Sequence, residues 1–71
     1  MKTKYKYIEF KKDVSGVWHC GNHKTDDYLG RVMWVKRWKC YEFVPNEGTA
    51  YTVECLADLA DFIRQLEQEK V

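Results

Sequence analysis

Hydrophobic and polar side chains alternate with a period near two through the first fifty residues, and past Thr52 the period lengthens to about 3.6. Thr3–Lys11 (TKYKYIEFK) interleaves Tyr, Ile and Phe with Lys, the pattern of a half-exposed strand. Its alternation is imperfect. Ile8 and Phe10 share a face with Lys4 and Lys6, while Tyr5 and Tyr7 take the other, so either both faces are used or a bulge switches them. Asp13–Gly16 reads as a turn. Val17–Asn22 is a second strand, with Trp18, Cys20 and Asn22 on one face. After the polar turn His23–Asp27 comes a third strand, Leu29–Val35, with Val32 and Trp34 opposed to Arg31 and Met33. A tight turn at Lys36–Arg37 leads to a fourth strand, Trp38–Val44. Pro45 ends it because proline has no N–H to give to a ladder. Asn46–Gly48 is a further turn and Thr49–Thr52 a short extension.

Val53, Leu56, Leu59, Ala60, Ile63 and Leu66 then recur at three- and four-residue spacing, with Phe62 beside the stripe. That is an amphipathic helix, with Thr52 placed to cap its first turn and acidic residues early in it to suit its positive end. The expected fold is α+β: one small domain over residues 1–71, a three- to four-stranded antiparallel meander within 3–52, packed on one C-terminal helix over about 53–69 (ββββα). Its core would set Ile8, Phe10, Trp18, Val32, Trp34, Tyr41 and Phe43 against Leu56, Leu59, Ile63 and Leu66.

Composition narrows the class. At 71 residues there is room for one core only, and 15% aromatic residues place the chain among folded rather than disordered sequences. No apolar run approaches the roughly 18–20 residues of a membrane span, and no signal peptide opens the chain. Three cysteines, Cys20, Cys40 and Cys55, are an odd number without a CxxC pair, which points to reduced thiols and a cytoplasmic setting.

Net charge is +1, too little for a purely electrostatic binder of nucleic acid. It is unevenly spread. Residues 1–40 hold ten Lys/Arg against four Asp/Glu, and residues 41–71 hold two against seven. Such an asymmetry between halves points to a partner unless the two signs meet in the fold.

No residue pattern calls for a catalytic, metal or cofactor site. His19, Cys20 and His23 offer nitrogen and sulfur donors within five residues, yet a strand turns His19 and Cys20 to opposite faces and supplies no fourth ligand. A Cys–His nucleophile would need an orienting group, an oxyanion hole and a cleft that one sheet and one helix rarely provide. The strongest candidate contact is the hairpin tip, where Lys36, Arg37, Trp38 and Lys39 follow Trp34, with Arg31 on the strand before it. Cations contact phosphates and aromatic rings stack on bases, while Arg and Trp also dominate protein interfaces. The second candidate is the N-terminal segment, with Lys4 and Lys6 interleaved by Tyr5 and Tyr7. Lysines there also serve to block edge-to-edge pairing.

Leu29-Gly30, Val32, Trp34, Trp38, Tyr41, Phe43 and Pro45 spell L-G-x-V-x-W-x3-W-x2-Y-x-F-x-P, and the helix follows as CLADLADFI over 55–63. This resembles a set of short phage, prophage and scattered bacterial proteins with an LGxIxW…WxxYxFxP block and a CLxDIxxFI-like helix. The resemblance covers roughly residues 17–66. It implies a compact sheet-plus-helix fold and a mobile-element setting, and brings no activity with it. The expected architecture is also similar to the arm-site DNA-binding domains of tyrosine integrases, a likeness of fold alone.

Two readings follow. The favoured one is a small non-catalytic module, a phage or mobile-element accessory in the bacterial cytoplasm that binds a protein partner as an inhibitor or adaptor. It would work as a monomer or as a homodimer through the Thr3–Lys11 strand or a residual aromatic face. The alternative is a nucleic-acid-contacting module using the basic, aromatic-rich sheet face and the 34–39 tip. One continuous basic face would favour nucleic acid, and a divided one would favour protein.

Overall fold

A computed structural model describes residues 1–69. Four strands, β1 (Ile8–Lys12), β2 (Trp18–Asn22), β3 (Tyr28–Val35) and β4 (Cys40–Pro45), form one antiparallel sheet in the order β1-β2-β3-β4, and one helix, α1 (Val53–Glu69), crosses one of its faces. The ββββα order is the one that the change of period predicts. No helix among the described residues is long and apolar enough to cross a membrane.

Cross-strand partners share a face, so the register assigns the sides. Ile8, Phe10, Trp18, Cys20, Val32, Tyr41 and Phe43 face α1, while Glu9, Lys11, His19, Arg31, Met33, Glu42 and Val44 face away from it. The core holds Tyr5, Ile8, Phe10, Cys20, Leu29, Val32, Leu59, Phe62 and Leu66, with Trp18, Tyr41, Phe43 and Ile63 packed around it. At its centre the Phe62 ring stacks on Phe10 (centroids 3.8 Å apart, 2° between planes) and meets Trp18 edge-on at 5.1 Å.

Four expectations are corrected. First, the strand expected over Thr3–Lys11 begins only at Ile8. The chain reverses between Tyr5 and Ile8, so that Lys4 lies opposite Glu9, Tyr5 N–H donates to the Ile8 carbonyl and Phe10 N–H donates to the Thr3 carbonyl. This reversal is what breaks the alternation, since it resets which residues point inward. Second, Phe62 is fully buried, while Leu56 is 53% exposed and Val53 83% exposed. The buried stripe runs through Leu59, Phe62 and Leu66, because a ring at position 62 reaches deeper between sheet aromatics than the aliphatic chains flanking it. Third, Trp34 is not in the core. It is 37% exposed and lies edge-on to Tyr41 at 5.1 Å. Fourth, β4 starts at Cys40 rather than Trp38, and residues 49–52 form no strand.

Thr52 does cap the helix: its Oγ1 accepts from Cys55 N–H at 3.3 Å. In β3, Leu29 is passed over in the pairing, since Cys20 faces Gly30 and Gly21 faces Tyr28. Gly30 sits at φ +155° under the Phe43 ring. A Cβ there would lie 2.5 Å from the Val44 carbonyl oxygen and 2.7 Å from Phe43, so any side chain would push β4 away.

Phe62→Ala should cost about 3–5 kcal/mol in urea denaturation followed by circular dichroism, a large share of the stability of a domain this size. Leu56→Ala, which takes nothing from the core within one chain, should cost less than half as much. Equal losses at the two positions would contradict the helix register described here.

Candidate interaction surface

Val35 pairs with Cys40, leaving Lys36–Lys39 as a four-residue loop whose last member, Lys39, takes φ +54°. A residue in the left-handed region lets the chain re-enter the ladder after a type I-like turn. The result lifts the loop side chains clear of the sheet. Trp38 is 64% exposed, Lys36, Arg37 and Lys39 are exposed, and the Arg37 guanidinium carbon lies 5.5 Å from the Trp38 ring centroid. Trp34 and Tyr41 stand just below on the helix-facing side of the sheet, and Lys12 Nζ lies 5.9 Å from the Trp18 ring centroid on that same side. One end of the molecule thus gathers aromatic rings among cations.

The other sequence candidates lie elsewhere. Arg31 is exposed on the far face of the sheet, in a cross-strand row with His19 and Lys11. Glu9, in 3.9 Å contact with Lys11, and Glu42 interrupt the basic groups of that face. Lys4 and Lys6 are exposed at the N-terminal reversal, where Lys6 Nζ lies 5.3 Å from the ring of half-buried Tyr7. Burial takes Tyr5 out of the candidate set. Its hydroxyl donates to Asp61 Oδ2 (2.8 Å) and accepts from Gln65 Nε2 (2.9 Å), and burial followed by the bond to Asp61 raises its phenol well above the ordinary value. The cations therefore fall into separate groups rather than one face.

The His19–His23 segment is tied up structurally. Cys20 is fully buried, and desolvation, with Cys55 nearby, pushes its thiol up to about 12. His23 Nε2 donates to the Tyr5 carbonyl at 2.8 Å and so latches the N-terminal reversal. His19 bridges Asp13 Oδ2 and Tyr28 Oη, each at 2.7 Å. Asp13 also accepts from Ser15 Oγ, Ser15 N–H and Val17 N–H, and this set, led by Ser15 and His19, holds its carboxyl well below the usual range. The sequence marks the Asp-x-Ser-Gly turn but gives no sign that Tyr28 would join it. A shallow dent of about 230 Å³ beside this chain mixes Lys11 with Glu9, Asp26 and Asp27. No group of three or more His, Cys, Asp or Glu side chains suited to a metal ion occurs among the described residues.

Comparison with protein-family models, curated proteins and solved structures gave no match for this chain.

Two outcomes follow from these environments. At about pH 8, near the ordinary thiol value, iodoacetamide should label Cys40 and Cys55 in the native protein and reach Cys20 only after denaturation, as read by peptide mass spectrometry. Native labelling of Cys20 would contradict its burial. The stability supplied by the depressed Asp13 carboxylate is present above its unfolded value of about 3.9 and is lost as pH falls below it. Thermal melts from about pH 5 down to about pH 2 should therefore fall less steeply for Asp13→Asn than for the wild type. Parallel curves would count against the bonded turn.

Proposed function

We propose that this chain is a small non-catalytic interaction module that binds a protein partner through the β3–β4 end. The observation behind this is Trp38. A ring that is 64% exposed at a hairpin tip adds nothing to the core, costs hydration, and is the residue type that most often anchors a protein interface. Arg37 beside it and Trp34 and Tyr41 beneath it extend the same patch. The division of the basic residues among the tip, the far sheet face and the N-terminal reversal weighs against a phosphate track, which needs cations in a continuous line. The three free cysteines suit a reducing cytoplasm. The role as a phage or mobile-element accessory, of inhibitor or adaptor type, rests on the motif resemblance.

The test is affinity capture from bacterial lysate with wild-type and Trp38→Ala baits, followed by cross-link mapping. The wild type should retain proteins that cross-link to residues 34–39. Trp38→Ala should lose them, with affinity lowered by about 2 kcal/mol or roughly 30-fold. Identical capture by both baits would overturn the proposal. So would quenching of Trp fluorescence by oligonucleotides that weakens steeply with salt, which would assign the tip to nucleic acid.

A further inference from the structure

The two edges of the sheet are finished differently. In an antiparallel ladder, alternate residues of an edge strand turn their N–H and C=O groups outward. On β1 the outward residues are Ile8, Phe10 and Lys12, and the first two are engaged: the Ile8 carbonyl accepts from Tyr5 N–H, and Phe10 N–H donates to the Thr3 carbonyl. Lys4, Lys6, Lys11 and Lys12 crowd that edge as well. On β4 the phase is set by Asn46 N–H donating to the Leu29 carbonyl, which continues the Val44–Arg31, Glu42–Met33 and Cys40–Val35 pairs. Tyr41, Phe43 and Pro45 are then the outward residues. Among the described residues the backbone groups of Tyr41 and Phe43 on that side meet no partner, and β4 itself contains no lysine. Pro45, which lacks an N–H, sits where no β3 bond is lost.

The helix leaves an apolar flank on the same side. Asp61 and Gln65 point toward the N-terminal segment along β1, where Gln65 binds the Lys2 backbone at both N–H and C=O (2.9 Å each) and both side chains bond the Tyr5 hydroxyl. At 100° per residue, Leu56, Ala60 and Ile63 fall on the opposite flank, with exposed Glu67 at its C-terminal end. That flank lies beside β4, the strand whose backbone α1 approaches most. Leu56 is 53% exposed and Ala60 is exposed there, so an open strand edge and an uncovered apolar helix flank run side by side.

We propose that this strip is the interface between two copies of this chain, joined antiparallel through β4 into one eight-stranded sheet, with Leu56, Ala60 and Ile63 of the two helices closing over the seam. Charge selects a second copy over a foreign strand. Reading along the edge, Lys36, Arg37 and Lys39 come first and Glu42 and Glu47 follow, and these charges form no ion pair among the described residues. A two-fold axis across β4 reverses one copy and lays the cationic end of each edge beside the anionic end of the other. The outward N–H and C=O groups of Tyr41 and Phe43 gain partners in the same step, and pairing closes the free edge so that assembly stops at two. Trp38 stays outside the seam, so the dimer presents two tips.

Sedimentation equilibrium over a concentration series, combined with amide hydrogen exchange by NMR, tests this on the full chain. The wild type, of 8.5 kDa, should sediment at twice that mass, with Tyr41 and Phe43 amides protected. Leu56→Glu changes an exposed side chain, so it should keep the circular dichroism spectrum while weakening association at least roughly tenfold and freeing both amides. Trp38→Ala should dimerise like the wild type, which separates this outcome from that of the partner-capture experiment. A wild-type monomer at millimolar concentration would overturn the proposal and leave the edge to a strand from another protein. A dimer whose Tyr41 and Phe43 amides exchange freely would overturn it as well.

Discussion

The stack of Phe62 on Phe10 is the contact on which the rest of the structure depends. A four-stranded sheet of this size has one buried face, and a single helix must cover it. Phe62 reaches β1 through Phe10 and β2 through Trp18, so one side chain ties the last element of the chain to the first two. Burying two rings face to face removes a large apolar area from water, and the edge-on indole adds a favourable quadrupole contact. Once the helix is fixed there, Leu59 and Leu66 fall to either side of it. Tyr5 is then drawn beneath the N-terminal reversal to share Asp61 and Gln65.

That geometry explains which parts of the fold were legible in the sequence. The helix, the four strands and their order follow from periodicity, because each element must bury one face. The Thr52 cap follows from local chemistry. The reversal at Tyr5–Ile8 was visible only as a flaw in the alternation of Tyr and Lys. It is held by His23 and Gln65, which are far away in sequence, and local pattern carries no information about such partners. Spacing alone puts Phe62 beside the stripe, because a wheel drawn on aliphatic spacing weights all apolar residues alike. The sheet prefers the largest ring where its own aromatic residues leave room.

The candidate surface was legible in part. The tip residues Lys36, Arg37, Trp38 and Lys39 stand together, since four consecutive residues in a loop cannot be separated by the fold. Tyr5, Tyr7, Lys4 and Lys6 make a second patch only on the premise of one continuous strand, and the reversal divides them between core and solvent. The +6 and −5 halves of the sequence did not become two opposed faces either, because the meander sends successive basic residues to both sides of the sheet.

The grip of Gln65 on the Lys2 backbone has a consequence for how many neighbours one molecule can accept. With residues 3–5 in place, the β1 margin is occupied along Ile8–Phe10 while the β4 margin is bare, and association through one margin is self-limiting. Were that grip released together with the His23 bond to the Tyr5 carbonyl, Ile8 and Phe10 would be uncovered too, and the same sheet would have a margin at each side. A unit of valence two that adds strands at both ends grows without closure, as fibrils do. Two side chains remote from the open margin, Gln65 and His23, therefore keep this side of the sheet from accepting further strands.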